Sequence, residues 1–181
     1  EAMRVTGVTS GVEITTIADI PSRGTGLGSS STVTVGLLNA LHKFAGHDAS
    51  PSQLAEEACS IEIDILGQPI GRQDQYAAAF GGANSIFFNS QGVNVEPITI
   101  PCESKIREEF TLVFTGLSRS ASEVLKETPE DSYDKLSRLR RIRSQADVAE
   151  EYLNSCNLDE LGILIGEAWN EKRGISASVS G

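Results

Sequence analysis

Two groups of residues have types and spacings that could do chemistry. The first lies in "PSRGTGLGSSSTVTVGLLNALHKF", Pro21 to Phe44, where Gly24, Gly26 and Gly28 alternate with other residues, Ser29, Ser30 and Ser31 follow, and apolar residues then recur at helical spacing. Glycine tolerates positive φ and lets a ligand approach the main chain. A helix start adds partial positive charge, and together these make a phosphate cradle in the physical sense. The stretch contains neither G-x-x-x-x-G-K-[ST] nor the dinucleotide G-x-G-x-x-G. Taken alone, it reads equally well as a tight turn with hydroxyl caps. The second group is the pair Glu62 and Asp74, separated by Gly67, Pro69 and Gly71. A helix stop between them keeps the two off a shared helix face, yet the turn can fold Asp74 back toward the helix that carries Glu62. The plainer alternative is one solvated carboxylate and one helix N-cap, since Asp74 precedes "QYAAAF".

These residues need elements to hold them. "GVEITTIADI" alternates Val12, Ile14, Thr16 and Ala18 and predicts a strand. From Ser29, the residues Val33, Leu37, Ala40, Leu41 and Phe44 predict a helix buried on that face, with Gly46 as its stop. Ser50, Pro51 and Gln53 form a helix-start signature with a capping box. Leu54, Ala58, Ile61 and Ile65 form the inward stripe of that next helix, and Glu62 sits at its edge, where a carboxylate has to find partners or a wet cleft. "GRQDQYAAAFGG" predicts a short helix closed by Gly81 and Gly82. "NSIFFN", a turn at Ser90–Gly92 and "VNVEPITI" predict a hairpin. "FTLVFTG" predicts a strand, and "LSRSASEVL" a second loop-to-helix junction. Two long helices follow, over Ser132–Leu153 and Leu158–Arg173. Composition shifts from strand-rich to helix-rich near Pro101–Arg107, which sets the expected domain boundary.

The 181 residues carry 15 Lys and Arg against 25 Asp and Glu, a formal net charge of -10. That balance argues against nucleic acid or an anionic membrane as the main partner. No run approaches the roughly 18 apolar residues of a membrane span. Cys59, Cys102 and Cys156 are widely spaced and odd in number, which suits reduced thiols in a cytoplasmic protein better than a disulfide framework. His42 and His47 lie at the wrong interval for a shared metal face, so structural or surface roles are expected. The arginines of "RLRRIRSQ" (Arg138, Arg140, Arg141 and Arg143) read as a solvated helix face. Trp169, Lys172 and Arg173 read as a packed Trp beside a cation-rich helix end, with a distal-phosphate contact as the functional alternative.

The loop and the acidic pair, in this order, resemble a known family. "GTGLGSSST" is similar to the phosphate loop of the GHMP small-molecule kinases, and "GQPIGRQDQYAAAFGG" to the segment carrying their catalytic aspartate. With "FTGLSRSASEVL" and "AWNEKRGIS", the pattern most resembles the branch of sugar 1-kinases acting on heptose 7-phosphate. The resemblance implies an α+β fold. A ribosomal-S5-domain-2-like N-terminal kinase domain would cover residues 1–104, and part of the C-terminal α+β domain 105–181. It implies ATP and Mg²⁺ as cofactors and a sugar or sugar phosphate as acceptor, and it leaves a homodimer open. Gly24, Thr25, Gly26, Leu27, Gly28, Ser29, Ser30 and Ser31 would wrap the nucleotide phosphates. Ser30 and Glu62 would hold Mg²⁺. Asp74 would orient the acceptor hydroxyl, Gln75 would lie beside the sugar, and Ser118 and Arg119 near the acceptor pocket. Galactose, fucose and uronic acids are the alternative acceptors, and a non-catalytic binding module the alternative class.

Departures from the family pattern are also visible. Pro21 lies one residue farther from the Gly-Leu-Gly core than in many members. The family's opening strand with its basic residue, and its late glycine-rich motif, have no counterpart in the sequence. The chain therefore reads as an internal piece of a longer protein, with little kinase activity expected of it alone.

Overall fold

Local signals decide where most of the helices begin and end. The computed structural model describes residues 1–18, 26–113 and 133–175. The described chain divides into two compact units, one within Glu1–Gly81 and the other from Gly82 onward. The expected boundary at 104/105 falls inside the second unit, so the hairpin groups with the helices that follow it.

In the first unit a short α1 (Ala2–Val5) precedes α2 (Ser29–Phe44), which ends through Ala45 into Gly46 at φ 81. Helix α3 (Pro51–Cys59) starts as the sequence predicts. Pro51 takes the first position, where no helical N–H is needed, and the Ser50 hydroxyl accepts the Gln53 N–H at 3.2 Å. The capping box is only half made, because the Gln53 amide donates instead to Glu57 Oε1 at 2.8 Å. Ser50→Ala is expected to cost about 1 kcal/mol in chemical denaturation, the ordinary value of one N-cap.

Helix α3 runs directly into a π-helical turn, Ser60–Ile65, in which the Leu66 N–H returns to the Ile61 carbonyl at 2.9 Å. Helix α4 (Gln73–Phe80) closes on Gly81 and Gly82 at φ 64 and 66. Val35, Leu38 and Leu41 of α2 pack with Leu54, Ala58, Ile61, Ala2 and Val8 to make this unit's core. Its inward face differs from the expected one: Ser31, Val35, Leu38 and Leu41 are buried, while Val33 and Phe44 are exposed. Helix α2 is apolar on most sides, so periodicity locates the helix without fixing its rotation. His42 is buried with Nε2 2.7 Å from Glu57 Oε2, and His47 is exposed, in keeping with structural and surface roles.

The strand expected from Val12 is not formed over residues 12–18; Ile17 is 92% exposed. Alternation marks a sheet-compatible segment, but a strand needs a partner for its N–H and C=O groups, and none of the described residues supplies one.

The second unit opens with the predicted hairpin. Strands β1 (Asn84–Asn89) and β2 (Gly92–Pro97) pair antiparallel, with Asn89 opposite Gly92. The Asn89 side chain accepts the Gln91 N–H at 2.7 Å, and Gly92 takes φ 139, which favours glycine. Helix α5 (Glu103–Glu109) follows. Residues 110–113 form no strand, and the rest of "FTLVFTG" lies outside the described residues, as does "LSRSASEVL".

Helices α6 (Tyr133–Ser155) and α7 (Leu158–Ile175) pack together. Arg141 donates to both Glu171 oxygens at 2.8 and 2.9 Å, and Arg138 adds a bond at 3.2 Å. Half of the expected solvated arginine face is thus a link between helices. Arg141 foremost, with Arg138, holds the Glu171 carboxyl below its usual range. Lys172 and Arg173 lie in the last turn of α7, as a helix end favours, but Trp169 is 45% exposed rather than packed.

The expectation of three reduced thiols is corrected. Cys102 and Cys156 form a disulfide across 54 residues, with Cα atoms 5.9 Å apart, and Cys59 stays free and buried. A pairing made by tertiary packing leaves no trace in cysteine spacing. Cys156 itself sits at φ 55, where the chain leaves α6. There the Asn157 N–H returns to Tyr152 O and the Cys156 N–H to Leu153 O, a helix ending that usually employs glycine.

Candidate active site

The site is built where α2 begins. Gly28 stands at its N-cap in the left-handed region, φ 64 and ψ 23, and no side chain caps the helix. The Ser30 and Ser31 hydroxyls, caps in the plainer reading of the sequence, turn elsewhere. Ser30 Oγ donates to Glu62 Oε1 at 2.6 Å, and Ser31 Oγ donates to Glu62 Oε2 at 2.8 Å. Thr34 Oγ1 lies 3.2 Å from Oε1 and 3.1 Å from the Ser30 carbonyl. Gln75 Nε2 completes the set on Oε2 at 2.5 Å.

Glu62 is therefore a 3% exposed carboxylate with four donors, contributed by α2 and α4. An isolated buried carboxylate would be very costly, and these donors replace the lost water. Its inward position follows from the π turn. Helical turns that close five residues back advance less angle per residue, so the stripe through Leu54, Ala58 and Ile61 slips. Glu62 enters the interior, and Ile65, expected inside, is 40% exposed.

Asp74 lies in the first turn of α4, but Arg72 is the N-cap residue, so Asp74 is no cap. It is exposed and faces Gly28: a Cβ placed on Gly28 would lie 3.3 Å from both Asp74 Cγ and Oδ2. The two carboxylates thus meet at one helix start, Glu62 inside and Asp74 outside. Gly28→Ala would meet both the left-handed backbone and this close approach. It is expected to cost about 1–2 kcal/mol in denaturant unfolding from the backbone alone.

Of the loop residues, Gly26, Leu27, Gly28, Ser29, Ser30 and Ser31 are described; Gly24 and Thr25 lie outside the described residues, as do Ser118 and Arg119. Gln75, expected beside the sugar, is instead fully buried against Glu62. Neighbours on a helix point about 100° apart, so Asp74 facing out carries Gln75 inward. Thr34 was not anticipated. It lies four residues after Ser30, on the same helix face, which is the signal that marks it.

Residues 1–82 match the family model for the GHMP kinases N terminal domain. The chain carries a GHMP kinase N-terminal domain. It is 34% identical over 170 residues to D-glycero-alpha-D-manno-heptose 7-phosphate kinase of Campylobacter jejuni, an alignment spanning 91% of this chain and 50% of the relative. It is 28% identical to the bifunctional fucokinase/GDP-fucose pyrophosphorylase of Arabidopsis thaliana, over 93% of this chain and 17% of that protein. Among solved structures, a D-glycero-D-manno-heptose 1-phosphate kinase from Bacteroides thetaiotaomicron superimposes with a TM-score of 0.62 at 26% identity, covering 86% of this chain and 46% of that one. The α+β fold agrees with that neighbour, and the chain spans half the length or less of these relatives. Among the described residues, no helix is long and apolar enough to cross a membrane.

Proposed function

We propose that the protein transfers the terminal phosphoryl group of ATP to a sugar hydroxyl, with the anomeric hydroxyl of a heptose 7-phosphate as the first acceptor to test. One observation carries the reading: Glu62 and Asp74 converge on the start of α2, one through Ser30 at 2.6 Å and the other against Gly28. The names of the relatives and of the solved neighbour support the acceptor class.

Phosphoryl transfer demands positioning and charge neutralisation above all. In this reading the loop from Gly24 to Ser31 lays main-chain N–H groups along the polyphosphate. Two carboxylates beside that helix start would repel the same polyphosphate, so the reading calls for a cation between them. A hydroxyl and a carboxylate are the hard oxygen donors Mg²⁺ prefers. Ser30 Oγ and Glu62 Oε1 fit that role, because the bonds at Oε1 are the half-buried ones and those at Oε2 are buried. Mg²⁺, when bound, neutralises charge on the transferring group.

Asp74, exposed beside Gly28, accepts a hydrogen bond from the acceptor hydroxyl and aligns it. A carboxylate is a weak base for a sugar hydroxyl, so its part is alignment first and proton loss comes late. In this reading Ser118 and Arg119, which lie outside the described residues, would contact the acceptor.

The test is a phosphorylation assay on the intact protein with heptose 7-phosphate, galactose and fucose, with and without Mg²⁺. Preference for the sugar bearing a distal phosphate is expected. Preference for fucose would move the acceptor toward the activity named for the Arabidopsis thaliana relative, and preference for galactose would set heptose 7-phosphate aside as well. ATP binding without Mg²⁺ dependence and without turnover would favour a binding module.

A further inference from the structure

Among the described site residues, Gln75 is the one whose position departs from its expected role, and its two amide atoms are in opposite situations. Nε2 donates to Glu62 Oε2 at 2.5 Å, while its own Oε1 is buried without a hydrogen-bond partner. Folding tolerates an orphaned carbonyl only against a gain elsewhere, since an apolar side chain of similar length would fill the space without that cost. The gain here is the donor. Gln75 and Ser31 both point at Oε2, and both of these bonds are buried. They anchor one carboxylate oxygen from two different helices, α4 and α2. With Oε2 fixed, the orientation of the carboxylate is set, and Oε1 is left toward the exposed Ser30.

We infer that Gln75 is a positioning residue: through Oε2 it holds Glu62 with Oε1 turned toward Ser30, where a divalent cation would sit. This rests on the phosphoryl-transfer reading and deepens it. Gln75 touches neither substrate nor metal. It does for Glu62 what outer partners do for ligating side chains generally, where their loss costs about 10- to 100-fold in metal affinity.

The experiment uses Gln75→Met in the intact protein, which keeps length and removes the donor. Mg²⁺ is titrated into the ATP-bound protein by calorimetry, and the sugar KM is measured alongside. The expected result is a rise of about tenfold in the Mg²⁺ concentration needed for half-saturation, with the larger change in Mg²⁺ rather than in sugar KM. A raised sugar KM with unchanged Mg²⁺ affinity would restore Gln75 to the acceptor pocket and overturn the inference. Should Gln75→Met fail to fold, Ser31→Ala removes the other Oε2 donor, and an unchanged Mg²⁺ affinity there overturns it too.

If the unsubstituted protein binds ATP without regard to Mg²⁺, the kinase reading falls, and the positioning is judged by thermal unfolding of Glu62→Ala, Gln75→Met and the double variant. Non-additive effects support the buried coupling, and additive ones reject it.

Discussion

Replacing Asp74 with asparagine is expected to lower turnover about 10²- to 10⁴-fold, the usual range for removing a group that handles the reacting proton. The fold should hardly register the change. Asp74 is exposed, does not cap α4, and makes no hydrogen bond or ion pair among the described residues. Thermal unfolding should therefore shift by no more than about 1 kcal/mol, most of it the loss of a carboxylate near a helix start. Single-turnover measurement of sugar phosphate formation checks the rate, and ATP binding should survive. A variant that keeps more than about a tenth of the activity would remove Asp74 from the chemistry.

The second large effect belongs to Glu62, where two substitutions should separate folding from function. Glu62→Ala strips four donors of their acceptor, and the Ser31 and Gln75 donors are buried. Buried donors left without partners cost about 1–3 kcal/mol each, so this variant should be several kcal/mol less stable. Glu62→Gln behaves differently. The new amide can offer its NH₂ where Oε2 stood, and Gln75 can turn its own amide over to accept with the carbonyl that is now orphaned. Hydroxyls rotate to suit either neighbour. Stability should stay within about 1 kcal/mol, the net value of a typical hydrogen bond. Activity should nevertheless fall about 10²- to 10³-fold, because the negative charge proposed to hold Mg²⁺ is gone. Parallel thermal melts and rate measurements on the two variants check the separation.

How much of this was legible beforehand depended on the range of the interactions. Ser50, Pro51, Gly46 and the Gly81–Gly82 stop act within a few residues, and the helices they bound form as read. Asn89 to Gly92 likewise encode their own turn. The approach of Glu62 and Asp74 to one loop was legible as a possibility, because the glycines and proline between them force a reversal. The inward face of α2 was not, since Val33, Leu37 and Phe44 satisfy the helical period as well as Val35, Leu38 and Leu41 do. The burial of Gln75 depends on how α4 lies against the π turn, and the Cys102–Cys156 pairing on packing across the second unit. Sequence spacing carries neither.

The wide turn at Ser60–Ile65 makes this centre sensitive to chain length as much as to side-chain identity. Excising one residue there would let the winding revert to its common pitch, draw Ile65 under cover and turn the acid out to water, with every liganding atom still encoded. An inventory of side chains would score such a protein as intact, although the proposed cation seat had been dismantled.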